Sequence, residues 1–124
     1  MNKSVGFGIL ILGILFLQLC PAFANKAVVT IEGPTRVAKG TEVTLRIIVT
    51  HNANSASHHI EWVKVTANQK EIAGWKYSKG TLPEAAEFIK EIKIKVMEET
   101  EVVGEASCNK HGGKGPAKHK ITAK

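Results

Sequence analysis

At 124 residues, with 17 Lys and Arg against 11 acidic side chains and a formal charge of +6, the chain has enough length for one domain and too little for two. All of the acidic residues are Glu, and the lysines are scattered with little aromatic interleaving. That pattern argues against nucleic acid as a partner and suits small anions or an acidic protein.

Residues 1–24 read as an export signal: Lys3, an apolar run from Phe7 to Leu19, then Pro21 and the small-x-small site Ala22-Phe23-Ala24, with cleavage expected before Asn25. The run is too short to cross a bilayer comfortably, so no stable membrane anchor is expected after cleavage. Residues 25–124 are then one exported domain, the periplasm being the natural compartment. Cleavage removes Lys3 and Cys20, which leaves a charge of +5 and Cys108 as the lone cysteine. An unpaired exported cysteine is bridged to another chain, buried, or committed to a metal, and the first of these leaves a homo-oligomer open.

From Ala27 onward, short alternating runs are separated by Gly, Pro, Asn and Ser. Ala27 to Glu32 is a β-branched run ending at Gly33-Pro34. Glu42 to Thr50 turns Val43, Leu45, Ile47 and Val49 inward and Thr44, Arg46 and Thr50 outward. His58 to Thr66 places His58, Ile60 and Trp62 on one face and His59, Glu61 and Val63 on the other. Further strands are expected over Glu71 to Ser78, Glu87 to Glu98, Glu101 to Ser107 and Lys118 to Ala123. Trp62, Trp75 and Phe88 are expected in the interior. About seven short strands with no helical period make an all-β fold, an immunoglobulin-like antiparallel sandwich. Gly112-Gly113-Lys114-Gly115-Pro116 is a loop without the spacing of a phosphate cradle.

Four of the five histidines fall in two segments, His51, His58 and His59 in one and His111 in the other, and the second also holds Cys108. Cys108-Asn109-Lys110-His111 puts a thiolate and an imidazole three residues apart, within reach of one centre across a tight turn. Soft sulfur with several imidazoles suits iron, zinc or copper over magnesium or calcium. A buried free cysteine beside a surface histidine is the plainer alternative. A Cys-His hydrolase fits poorly, because the chain has no Asp and Cys108 stands at an expected strand end.

Three motifs in order, His51 with its loop, His58-His59-Ile60-Glu61-Trp62, and Cys108-Asn109-Lys110-His111-Gly112, resemble those of the superoxide reductases. These are also called neelaredoxins, and they include the iron-binding domain of desulfoferrodoxin. The resemblance spans nearly the whole chain after residue 24. It implies one iron in an immunoglobulin-like sandwich, with four equatorial histidines, an axial cysteine sulfur and a sixth position open to superoxide. It also implies reduction of superoxide to hydrogen peroxide, with the electron supplied by a separate donor protein. Carried onto this chain, it makes Cys108 the axial ligand and His51, His58 and His111 three of the imidazoles.

Two departures stand beside that match. Where the family has an E-K-H triplet this chain has Asn25-Lys26-Ala27, so Ala27 occupies the place of the fourth histidine and Asn25 that of the glutamate. Lys26 corresponds to the lysine that attracts superoxide. The loop from His51 to His58 is one residue longer than usual, with Asn52 in place of proline. His59 and His119 are outside candidates for a ligand, although strand alternation turns His59 to the opposite face. Rival readings are a relative that binds metal or transfers electrons without reductase activity, and a metal-free sandwich in which Cys108 is merely buried.

Overall fold

The computed structural model describes residues 26–124; the expected export signal, with Cys20, and Asn25 lie outside them. The described chain is all-β, with strands β1 (Val28–Glu32), β2 (Arg36–Val37), β3 (Thr41–Thr50), β4 (Ile60–Ala67), β5 (Lys70–Lys76), β6 (Phe88–Val96), β7 (Thr100–Cys108) and β8 (Ala117–Ala123). One sheet has the order β1-β3-β6 and the other β2-β8-β7-β4-β5. Every pairing between neighbouring strands is antiparallel except β2 with β8, which is parallel. Strand β2 is an addition to the seven expected: two residues carry no periodicity, and backbone bonds from Thr122 to Thr35 and from Lys124 to Val37 hold it.

The core lies between the sheets. In β3 the expected alternation holds, with Val43, Leu45, Ile47 and Val49 buried and Thr44 and Arg46 exposed. They meet Ile60, Val63 and Val65 of β4, Val102, Ala106 and Cys108 of β7, and Ile121 of β8. Each fully buried aliphatic side chain of this kind contributes about 1.5–3 kcal/mol through burial.

Strand β4 departs from simple alternation. Ile60 pairs with Cys108 but Trp62 pairs with Ser107, so Glu61 is the extra residue of a β-bulge. The bulge shifts the phase, and Ile60 and Val63 both enter the core. Trp62, expected inside, is turned to the outer face, half-buried in a groove with Lys64, Glu71, Gly74 and Lys76. The strand also begins at Ile60 rather than His58, so both histidines belong to the preceding loop. Of the other two aromatics, Phe88 is buried and Trp75 packs half-buried against the core.

The Asn68-Gln69 turn joins β4 to β5, with φ of 48° and 71°. Paired positive φ values suit the right-handed twist of a two-residue hairpin. Ala27 precedes β1 and leaves that sheet to form a parallel bridge with Gly113, in the loop after β7.

Candidate metal centre

Cys108 is the last residue of β7, 2 % exposed. The chain then turns back on itself: the Cys108 amide donates to the Gly112 carbonyl and the Gly112 amide to the Cys108 carbonyl, both at 3.0 Å. The turn requires a positive φ at Gly112, +69°, which glycine adopts without penalty. Inside it, the Lys110 amide points at the Cys108 sulfur, 3.4 Å away.

His51 follows the last residue of β3 and is 4 % exposed. Its Nδ1 lies 2.8 Å from the Ala53 carbonyl. A carbonyl only accepts, so Nδ1 carries the hydrogen and Nε2 keeps a lone pair. That Nε2 is buried and has no hydrogen-bond partner. The loop that follows brings His58 beside it, the two rings meeting edge to face at 4.8 Å and 89°. The donor atoms of His51, His58 and Cys108 all lie within 4.8 Å of one another.

His111, at the exposed end of the turn, extends the cluster through His58: its Nδ1 is 3.3 Å from His58 Nε2, and the rings are 5.0 Å apart. Partial burial, then the neighbouring His51, His111 and Lys110, hold the His58 pKa below its usual 6.5, which favours the neutral ring a metal needs.

The remaining candidates are placed differently. His59 is buried, its Nδ1 turned onto the Ser55 carbonyl of its own loop at 3.0 Å. His119 sits opposite Val102 in the β7–β8 ladder, with Nε2 donating to the Pro34 carbonyl at 2.9 Å. Val102 is six residues from Cys108, roughly 20 Å along a strand, so His119 does not reach the cluster. Lys26 is exposed beside Ala27, and Ala27 is 1 % exposed with its amide on the Gly112 carbonyl at 3.1 Å.

One polar contributor escapes sequence reasoning. Asn109 bonds to the segment carrying His58; it stands inside the Cys-Asn-x-His motif, but nothing in that local pattern reports which distant peptide groups its carboxamide meets.

The residues present fit a transition metal. A cysteine sulfur and three imidazoles, one of them with a buried nitrogen whose lone pair is unused, are the donors such an ion takes, and an orphaned buried nitrogen otherwise carries a desolvation cost of about 1–3 kcal/mol. Fold and site together define a class: a β-sandwich with a sulfur-and-imidazole cluster at one end, suited to a metal.

The desulfoferrodoxin family model matches residues 21–113, so the chain belongs to the desulfoferrodoxin family. Among solved structures, the fold is similar to a variant of the superoxide reductase (neelaredoxin) from Ignicoccus hospitalis, at 19 % identity over 86 % of each chain with a TM-score of 0.66. Another structure of that Ignicoccus hospitalis protein matches at 19 % identity over 81 % of each chain, TM-score 0.64. The CARDB domain of a Pyrococcus furiosus protein, in complex with di-metal ions, matches at 15 % identity over 82 % of this chain and 94 % of that one, TM-score 0.57. At these identities the likeness establishes the fold. No curated protein matches the sequence significantly.

Proposed function

We propose that this chain is an exported, mononuclear iron protein that reduces superoxide to hydrogen peroxide, with Cys108, His51, His58 and His111 as its metal ligands. The observation that carries this reading is the buried, unpartnered Nε2 of His51, which faces no protein acceptor or donor and stands in one cluster with Cys108 and His58.

Bound iron would supply one electron, which with two protons converts each superoxide to hydrogen peroxide; a separate donor protein returns the electron. The chain's own residues do the rest. The Ala53 carbonyl fixes the His51 tautomer, and the Lys110 amide supports the charge on the Cys108 sulfur. The exposed edge at His111 opens the site to solvent, and the positive charges of Lys110 and Lys26 draw in the superoxide anion. Export and a periplasmic location rest on the pattern of residues 1–24.

A second reading is supported by Ala27. The position that resembles the family's fourth histidine holds a buried methyl group, and a set of three imidazoles and one thiolate is one that zinc or copper also accepts. The chain would then bind metal or transfer electrons without reducing superoxide.

The test is to load the protein with ferrous iron without air, measure metal content and the superoxide-dependent peroxide yield of the reduced protein, then oxidise it and record the visible spectrum. A sulfur-to-iron charge-transfer band that is lost in Cys108→Ser, with peroxide formed and no dioxygen released, supports the reductase. Bound iron with the band but no peroxide supports the second reading. No bound iron and no band overturns the iron reading.

A further inference from the structure

His58 lies in a loop, and the peptide groups on both sides of it are gripped by one side chain. Asn109 Oδ1 accepts the His59 amide hydrogen at 2.9 Å, and Asn109 Nδ2 donates to the Ser57 carbonyl at 3.1 Å. The backbone adds a third bond, from the Asn109 amide to the His59 carbonyl at 3.0 Å. The bonds between Ser55 and His58 are of another kind, since they shape the loop internally. Those made by Asn109 tie the loop across 50 residues of sequence to the residue bonded to Cys108.

A carboxamide offers an acceptor and a donor in one plane, so it completes the backbone pairing on each side of His58 as a further peptide group would. A carboxylate of the same size keeps the acceptor and loses the donor. An alanine loses both. The separation between His58 and the Cys108 sulfur therefore depends on which side chain stands at position 109.

We propose that Asn109 is a positioning residue of the metal centre: its carboxamide holds His58 in register with Cys108 so that both can serve one ion. This rests on the reading that Cys108 and His58 bind the same metal. Outer residues that orient metal ligands commonly affect metal affinity by about 10- to 100-fold, and the same range is expected here.

The test uses cobalt(II), whose sulfur-to-cobalt band and visible spectrum report the ligands without any turnover. The unsubstituted protein is expected to bind one cobalt with a sulfur-to-cobalt band. Asn109→Ala and the isosteric Asn109→Asp are expected to bind it about 10- to 100-fold more weakly and with a shifted band, while metal-free circular dichroism keeps the β signature. In a His58→Ala background, Asn109→Ala is expected to add nothing further, because the residue it positions is gone.

Wild-type affinity and spectrum in both Asn109 variants overturn the proposal. So does an equal loss in the presence and absence of His58, which would mark Asn109 as a general support of the turn. If Asn109→Ala does not fold, Asn109→Asp decides. Failure of the unsubstituted protein to bind cobalt through sulfur overturns the shared-metal reading itself, and the proposal with it.

Discussion

Ala27 and Cys108 donate their amide hydrogens to the same oxygen, the carbonyl of Gly112, at 3.1 and 3.0 Å. The segment before β1 is thereby pinned against the turn that carries the cysteine, although the two residues are far apart in sequence. Ala27 is 1 % exposed and offers no donor atom. Position 27 is thus beside the Cys108–Gly112 turn and contributes only a methyl group.

Replacing Ala27→His is expected to strengthen metal binding about tenfold or more and to shift the visible spectrum of the iron-loaded protein, with a gain in superoxide reduction. The larger ring also overpacks a filled position, so the metal-free protein should lose about 1–3 kcal/mol of stability. Metal titration and denaturant unfolding separate the two effects. A variant that folds but gains neither affinity nor rate sinks the idea that a missing ligand limits this centre.

His119→Ala should leave metal stoichiometry and spectrum unchanged. Its ring is committed to the Pro34 carbonyl, and the roughly 20 Å between Val102 and Cys108 along β7 keeps it out of the cluster. Loss of that hydrogen bond should cost about 0.5–1.5 kcal/mol, read from denaturant unfolding. A changed spectrum would return His119 to the ligand set.

Acid should weaken the metal-free fold through His58. Its folded pKa lies below 6.5, first through burial and then through His51, His111 and Lys110, so the unfolded chain takes up the proton at a higher pH than the folded one. The stability tied to neutral His58 is complete above pH 6.5 and declines as pH falls through that value toward the folded pKa. Metal release should follow the same direction, because only neutral imidazole binds. Melting curves between neutral and mildly acidic pH, with and without His58→Ala, measure this; an unaltered slope in the variant would refute it.

Gly113→Ala should destabilise the protein by about 1–3 kcal/mol or more. An added Cβ would land on the Ala106 carbonyl oxygen, which is backbone held opposite Val63 in the β4–β7 ladder, and moving Gly113 away from it would break the bridge to Ala27. Gly80→Ala is the control: nothing lies near its Cβ, and a change within about 0.5 kcal/mol is expected. Equal melting of the two variants would contradict the packing seen at Gly113.

Strand β3 was legible because one buried face and one solvated face impose alternation, and Val43 to Val49 obey it. Strand β4 was legible as a strand but not in phase. A bulge is defined by the partner strand, and nothing local to Ile60-Glu61-Trp62 reports that Cys108 and Ser107 stand opposite it. The same limit applies to β2, whose two residues exist as a strand only because β8 lies alongside.

For the site, residue types spoke and orientations did not. Cysteine and histidine are scarce here, so Cys108 and the histidine segments stood out by chemistry alone. His51 and His59 are indistinguishable in that respect. The loop separates them, turning His59 onto the Ser55 carbonyl while His51 bonds Ala53 and keeps its Nε2 lone pair at the cluster.

By itself, then, the sequence determined an all-β domain and the inventory of sulfur and nitrogen donors, because local periodicity and side-chain chemistry are properties of neighbouring residues. Only the tertiary structure decided which donors meet, that Trp62 faces outward, that Asn109 brackets His58, and that Ala27 abuts the Cys108 turn. Each of those facts is a relation between segments tens of residues apart, set by hydrogen bonds and packing that exist only once the two sheets have closed on each other.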